Sequence, residues 1–367
     1  IFLPMTQPLH MDNFDLFRIK GILKGRPALG PRSVNIHLNN ICHRKCIFCW
    51  YFSPLVAKRE RPRQLEFNVL SKLIRDCSRM GVQLINLEGG EVIHYPQLEK
   101  ACRLVKAKGM TLAAYSHLAF SRDQLDRLRL LDEVNVNLSA ASRKLYRIMH
   151  GDDSFNQVIT NLKLLKTFKQ RYGTPKITLT FIITKLNYTD IGRFIALALK
   201  LQVDELKFKH FGATEEMRRL LLSPEDAKKL KKILGTLLEN GIKIPNNLHN
   251  IYRVLSSKTF LTTRISLTWT RNHNDRHIYY QEFPDTKIRC FVGWFYSFID
   301  EAGKVKAPCD NAGVCVAGNI LHDSFTDIWF NSPSFARIRE KSMHIDTTKK
   351  RWYECRYCGY KVFNSDM

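Results

Sequence analysis

An α/β fold on a mostly parallel sheet is predicted for this chain, and three observations predict it. Six short β-type runs alternate with amphipathic helical patterns between Ser33 and about Phe211, the order that produces parallel strands with helical crossovers. Hydrophobic residues at 44% and charged residues at 25% describe a globular chain with a sizeable core. Beyond Cys290 the pattern changes to Gly, Asn, Cys and aromatic residues with short strands, which marks a second, smaller unit.

The six expected strands are "SVNIHL" from Ser33, "VQLINL" from Val82, "MTLAAYS" from Met110, "EVNVNLS" from Glu133, "ITLTFII" from Ile177 and "DELKFKHF" from Asp204. Amphipathic segments such as "FNVLSKLIRDCSRMG" and "FNQVITNLKLLKTF" lie between them. Six units are too few for a closed eight-fold barrel but enough for an open or partial one, with its chemistry in loops at the strands' carboxyl ends. The expected organisation is an N-terminal extension over 1–32, a partial (β/α)6 TIM-like barrel over 33–212, a helical connector covering the barrel mouth over 213–289, and a small α+β domain over 290–367. Within the connector, Ser223 and Pro224 can open a helix that Gly241 ends.

The formal net charge of +24 favours an acidic partner: a phosphorylated small molecule, nucleic acid, anionic lipid or an acidic peptide. It also fits a solvated basic surface with local runs at "KRERPR" and "KKLKK". No apolar run is long enough to span a membrane, and the first residues do not read as a signal peptide, so the cytoplasm is the expected compartment. Ten cysteines without a secretion signal point to reduced thiols, metal or catalysis. Cys77 and Cys102 fall on apolar helix faces and are expected in the core. The other eight form two groups.

The first group follows the first strand, in "NNICHRKCIFCWYF": Cys42, Cys46 and Cys49, spaced C-x3-C-x2-C. Three thiols on one short loop can hold an iron–sulfur cluster or zinc. Zinc would need a fourth ligand, and His43, adjacent to Cys42, is awkwardly placed to close the same tetrahedron. One βα unit later comes "NLEGGEVIHYPQL", with Gly89, Gly90 and Glu91. Glycines let a backbone approach a ligand closely, and a carboxylate pairs with an ammonium.

The paired motifs resemble the signature of the radical S-adenosylmethionine (radical SAM) enzymes. The resemblance implies that Cys42, Cys46 and Cys49 hold a [4Fe–4S] cluster whose open iron is chelated by the methionine moiety. It places Phe48 near the adenine and gives Gly89, Gly90 and Glu91 the methionine amino group. It sets Ser139 near the ribose, with Thr184 and Asn187 of "FIITKLNYTDI" facing the cofactor. Two departures fall where substrate is expected. Ser116, His117 and Leu118 stand where relatives often carry Thr-Asn-Gly, and Ala140 and Ala141 follow Ser139 in place of the usual Asp.

The second group comprises Cys290, Cys309 and Cys315, then Cys355 and Cys358 as C-x2-C, with Gly303, Gly318, Asn319, Ile328, Trp329, Phe335 and Arg339 among them. It resembles the auxiliary-cluster domain (SPASM, or its shorter twitch form) of many radical SAM enzymes. The resemblance implies a second [4Fe–4S] cluster on Cys290, Cys309, Cys355 and Cys358, although four thiolates also suit zinc. Cys315 is left over, as a hydrogen-atom donor, a substitute ligand or a structural thiol.

The family's mechanism implies reductive cleavage of S-adenosylmethionine to methionine and a 5′-deoxyadenosyl radical, which takes hydrogen from an unactivated C–H bond. A flavodoxin- or ferredoxin-like protein is the expected electron donor. The leading expectation is an oxidoreductase-type reaction on a small polar metabolite, sugar-like or phosphorylated, with net redox change through the auxiliary cluster. The alternative is crosslinking or epimerisation of a ribosomally made peptide. Against it, the 32 residues before the first strand are short for the peptide-binding domain of many such relatives. RNA modification is a third reading, and it predicts salt-sensitive binding.

Overall fold

A computed structural model describes residues 13–56, 61–256, 270–271, 277–278, 287–288, 290–306, 316–343 and 345–346. All six expected strands form: β1 (Ser33–Asn39), β2 (Leu84–Gly89), β3 (Thr111–Ser116), β4 (Glu133–Asn137), β5 (Lys176–Ile183) and β6 (Glu205–His210). They pair in parallel and in chain order. Expected and observed strand starts agree within two residues.

The alternation along each strand decides what the two faces do. Val34, Ile36, Ile85, Leu87, Val134, Val136, Leu179 and Phe181 are wholly buried against the helices. Residues of the other parity are polar: Asn35 and His37 on β1, Asn86 and Glu88 on β2, Asn135 on β4, Lys207 and Lys209 on β6. These meet one another across the inner face. Asn35 Nδ2 donates to Glu88 Oε1 at 2.7 Å, and Lys207 Nζ to Asn135 Oδ1 at 3.3 Å. The ammonium of Lys209 on β6 lies 5.1 Å from the ring centroid of Tyr115 on β3. Those strands are three places apart, roughly 14 Å on a flat sheet, so the contact shows how strongly the sheet curls. The result is the expected partial barrel, with an apolar outside and a polar inside.

The C-terminal region begins by extending this sheet. Strand Tyr296–Ile299 pairs in parallel with β1. Strands Lys304–Lys306 and Val316–Asn319 follow as an antiparallel meander, which brings the sheet to nine strands. Two helices, Phe325–Asn331 and Pro333–Ser342, follow. Trp329 Nε1 donates to Leu29 O at 3.0 Å. The buried Arg339 guanidinium donates to the carbonyls of Gly293 and Trp329 and lies over the Trp329 ring, tying the two helices to the short helix Val292–Phe295.

The connector has two functions. Met217, Leu220 and Leu221 pack on Phe48 and Val56 of the cysteine loop. Farther along, Leu206 N donates to Pro245 O, and Asn247 brackets the Phe208 backbone with both side-chain atoms, which covers the open edge of β6. Between them, helix Pro224–Glu239 has the expected Ser223 cap, completed into a capping box by Asp226. Cys77 and Cys102 are fully buried core residues, as expected. No helix among the described residues is long and apolar enough to cross a membrane.

Candidate functional site

The loop that follows β1 carries Cys42, Cys46 and Cys49, all half-buried, and it is stitched down at both ends. Asn39 turns the chain by accepting from Ile41 N at 2.8 Å while its Nδ2 donates to Glu91 O at 3.2 Å. Gly90 N donates to Asn39 O, and Glu91 N to Ile41 O. Asn40 exchanges three hydrogen bonds with the backbone of Arg61 and Arg63. At the far end Trp50 Nε1 donates to Gly212 O at 2.7 Å. The pair Gly89–Gly90 is required by this docking. A Cβ on Gly89 would lie 2.2 Å from Asn39 O, where φ is also +134°, and one on Gly90 would lie 2.2 Å from Ile41 O. The motif therefore presses directly on the start of the cysteine loop.

Glu91 is almost wholly buried. Its Oε2 accepts from His117 N at 2.8 Å, and burial pushes its carboxyl up to about 7 against the N–H donors around it. Ser116, His117 and Leu118, the departure from the usual Thr-Asn-Gly, build its other wall. Leu118 takes a positive φ of 54°, a backbone conformation that favours glycine. His117 Nδ1 accepts from Ala119 N at 2.9 Å, which leaves the proton of the neutral ring on Nε2, 3.2 Å from Glu91 Oε2. Burial, then the charge of Arg44, holds His117 well below the ordinary imidazole range. A carboxylate in this position is short of a cation, as an ammonium site should be.

Ser139, Thr184 and Asn187 come together at the carboxyl ends of β4 and β5. Asn187 Nδ2 donates to Ser139 O and Ile182 O, and its Oδ1 accepts from the backbone N–H and hydroxyl of Thr184. Ser139 Oγ donates to Asn137 Oδ1 and accepts from Ile182 N. These hydroxyls join strand ends together, and all three residues are buried. Phe48 is buried too, its ring edge-on to His150 at 5.3 Å.

Sequence reasoning missed a group around Cys46. His150 ends helix Arg143–His150, where Gly151 in the left-handed region lets the chain approach Lys45 O. His150 Nε2 donates to Leu138 O at 2.8 Å, and its Nδ1 lies 3.4 Å from Cys46 Sγ. Burial pulls its pKa down to about 3. Arg44, buried inside the C-x3-C turn, pairs with Asp152 at 3.0 Å and lies over the Tyr146 ring. A His-Gly at a helix end was the available signal, but nothing local says that it lands on a cysteine 104 positions earlier.

Burial pushes the Cys42 and Cys46 thiols up to about 12, so they become thiolates only when a metal supplies the compensating charge. Among the described residues no three His, Cys, Asp or Glu converge tightly enough for a single metal ion. The three thiols, the backbone cradle and the buried carboxylate thus fit an open-site cluster with an amino-acid ligand. Of the second cysteine group, Cys290 is buried with its N–H on Ser342 O. Cys309, Cys315, Cys355 and Cys358 lie outside the described residues.

One layer below the Glu91 site, His37 on β1 stands between two carboxylates, 3.6 Å from Glu88 and 3.7 Å from Glu301. Burial alone would lower its pKa, but Glu301 and Glu88 together raise it to about 9. Glu301 follows strand Tyr296–Ile299, so the C-terminal region supplies part of the inner face.

Comparison with known proteins agrees with this geometry. Residues 36–198 match the sequence profile of the Radical SAM superfamily, and residues 290–359 match that of an iron–sulfur cluster-binding domain, SPASM. A probable GTP 3′,8-cyclase of Saccharolobus islandicus is 26% identical over 190 residues, covering 50% of this chain and 56% of the relative. That of Metallosphaera sedula is 24% identical over 185 residues, covering 50% and 55%. The chain thus spans about half the length of the curated relatives it matches. Among solved structures, Streptococcus suis SuiB bound to its precursor peptide SuiA superposes with a TM-score of 0.63 at 14% identity, covering 88% of this chain and 70% of that one. The enzyme anSMEcpe with bound AdoMet gives 0.58 at 16% identity, covering 91% and 88%.

Proposed function

We propose that this chain, which matches the Radical SAM superfamily over residues 36–198 and an iron–sulfur cluster-binding domain, SPASM, over residues 290–359, performs hydrogen abstraction on a small polar metabolite, with net redox change. The carrying observation is the inner face: charged and amide side chains directly below the cofactor motifs, with Glu88 and Glu301 flanking His37. A polar lining of this kind is matched by a substrate rich in hydroxyl, amino or anionic groups, which can join its hydrogen bonds where an apolar one cannot. The name of the curated relatives, GTP 3′,8-cyclase, points to the same chemical class.

In this reading Cys42, Cys46 and Cys49 hold the first [4Fe–4S] cluster, and Gly89, Gly90 and Glu91 receive the amino group of S-adenosylmethionine. Bound there, the two cofactors supply one-electron chemistry able to take hydrogen from an unactivated C–H bond. The chain's own contribution is positional. Glu91 pairs its carboxylate with the ammonium, Phe48 and the residues packed on it exclude water, and Asn187 fixes the strand ends beside the reacting carbon. Cys290, Cys309, Cys355 and Cys358 are the proposed ligands of the auxiliary cluster, which gives the second electron of an oxidation a place to go.

The test supplies reconstituted enzyme, S-adenosylmethionine and dithionite with either a low-mass cell extract or a peptide extract. Substrate-dependent formation of 5′-deoxyadenosine with the low-mass fraction is expected. Stimulation confined to the peptide fraction would transfer the proposal to peptide modification.

A further inference from the structure

Lys209 is an inner-face cation that forms no direct ion pair among the described residues, with Glu88 the carboxylate near enough to raise its pKa. Its neighbour Lys207 is placed conventionally, with its ammonium near Glu205 and Asn135, and His37 sits between two carboxylates. Lys209 makes no hydrogen bond or ion pair with any described residue; its ammonium rests over the Tyr115 ring. It pairs in register with Ile182, whose N–H is held by Ser139 Oγ, so it stands level with the strand ends that carry the cofactor residues. A half-buried lysine on a rigid strand, facing a polar interior with no carboxylate bonded to its ammonium among the described residues, is a charge left for a ligand.

We propose that Lys209 anchors an anionic group, phosphate or carboxylate, of the substrate. This rests on the reading of the site as a metabolite site and narrows its class to an anion on a polar body. Glu88 and Glu301 lie on the His37 side of the inner face. These carboxylates accept from hydroxyl or amino groups on the rest of the molecule. Burial lowers the Lys209 pKa to about 8 in spite of Glu88. The amine stays mainly charged at neutral pH yet is more nucleophilic than a surface lysine.

That property supplies the test. Reconstituted holoenzyme is treated anaerobically with limiting acetic anhydride in phosphate, acetate or chloride at matched ionic strength, and acetylation of Lys209 is read by peptide mass mapping against exposed Lys228. Roughly threefold or greater protection of Lys209 by phosphate or acetate, with Lys228 unchanged, is expected from site occupancy. Protection by phosphate alone identifies a phosphorylated substrate; protection by acetate as well identifies a carboxylate. Equal acetylation of Lys209 in all three salts, or none in any, overturns the proposal. A Lys209→Met variant that still binds S-adenosylmethionine and responds fully to the low-mass extract also overturns it. Protection of Lys209 in an enzyme that responds only to peptides would keep the anion site and refute the metabolite reading.

Discussion

Alanine at Gly90 is expected to abolish S-adenosylmethionine binding while leaving the barrel folded. The added Cβ would lie 2.2 Å from Ile41 O and 2.4 Å from Ile41 C. These are backbone atoms immediately before Cys42, with no flexible side chain to swing away. Relief requires moving the cysteine loop, and the hydrogen bonds Gly90 N to Asn39 O and Glu91 N to Ile41 O would be lost with it. Overpacking of this kind costs about 3 kcal/mol, concentrated in a surface loop and not in the helix-covered outer core. Circular dichroism should therefore be unchanged, while the electron paramagnetic resonance signal of the reduced loop cluster and S-adenosylmethionine binding are lost. Retention of both would show that the Gly-Gly pair does not hold the loop in place.

The second large effect belongs to Glu91. Ile93 N and His117 N donate to different oxygens of Glu91, so Glu91→Gln keeps an acceptor for one of them, turns an amide N–H2 toward the other, and removes the charge. Breaking a buried charge pair costs about 3 kcal/mol, about a hundredfold in affinity. The pH dependence has a definite sign. Burial raises the carboxyl to about 7, so the charged form that pairs with an ammonium is populated above that value and lost as pH falls through it. Wild-type affinity for S-adenosylmethionine should weaken below about pH 7, and the Gln variant should be weak and flat across the same range. Equal slopes in equilibrium binding for the two proteins would remove Glu91 from the ammonium site.

The strands were legible because each is a short apolar or alternating run closed by a polar turn, and the two faces of the sheet differ in chemistry. The cysteine and Gly-Gly-Glu motifs were legible because their spacing is local. What the sequence concealed depends on contacts distant in the chain. Asn39 and Asn40 look like ordinary turn residues until their partners 52 and 21 positions away are known. His150 reaches Cys46 only because Gly151 closes against Lys45. The inner face is likewise invisible as a unit. Lys209 and Tyr115 are separated by two strands of the sheet, and Glu301 arrives from the region expected to form its own small domain. Strand Tyr296–Ile299 is too short to announce that it pairs with β1.

Ser139 and Thr184 illustrate a different limit. Their positions at strand ends follow from the pattern, but their hydroxyls are already engaged with Asn137, Ile182 and Asn187. These hydrogen bonds tie the strand ends together, and Asn187 is the residue that joins them.

The central claim is that the loop of Cys42, Cys46 and Cys49 holds one cluster and the C-terminal cysteines another. Iron and sulfide per chain after anaerobic reconstitution, with zinc measured alongside, test it most directly when wild type is compared with a variant carrying alanine at all three loop positions. The account predicts about eight iron falling to about four. About four falling to none, with one zinc retained, would contradict it: the C-terminal site would be a structural clasp, and the redox role proposed for it would have no cluster to perform it.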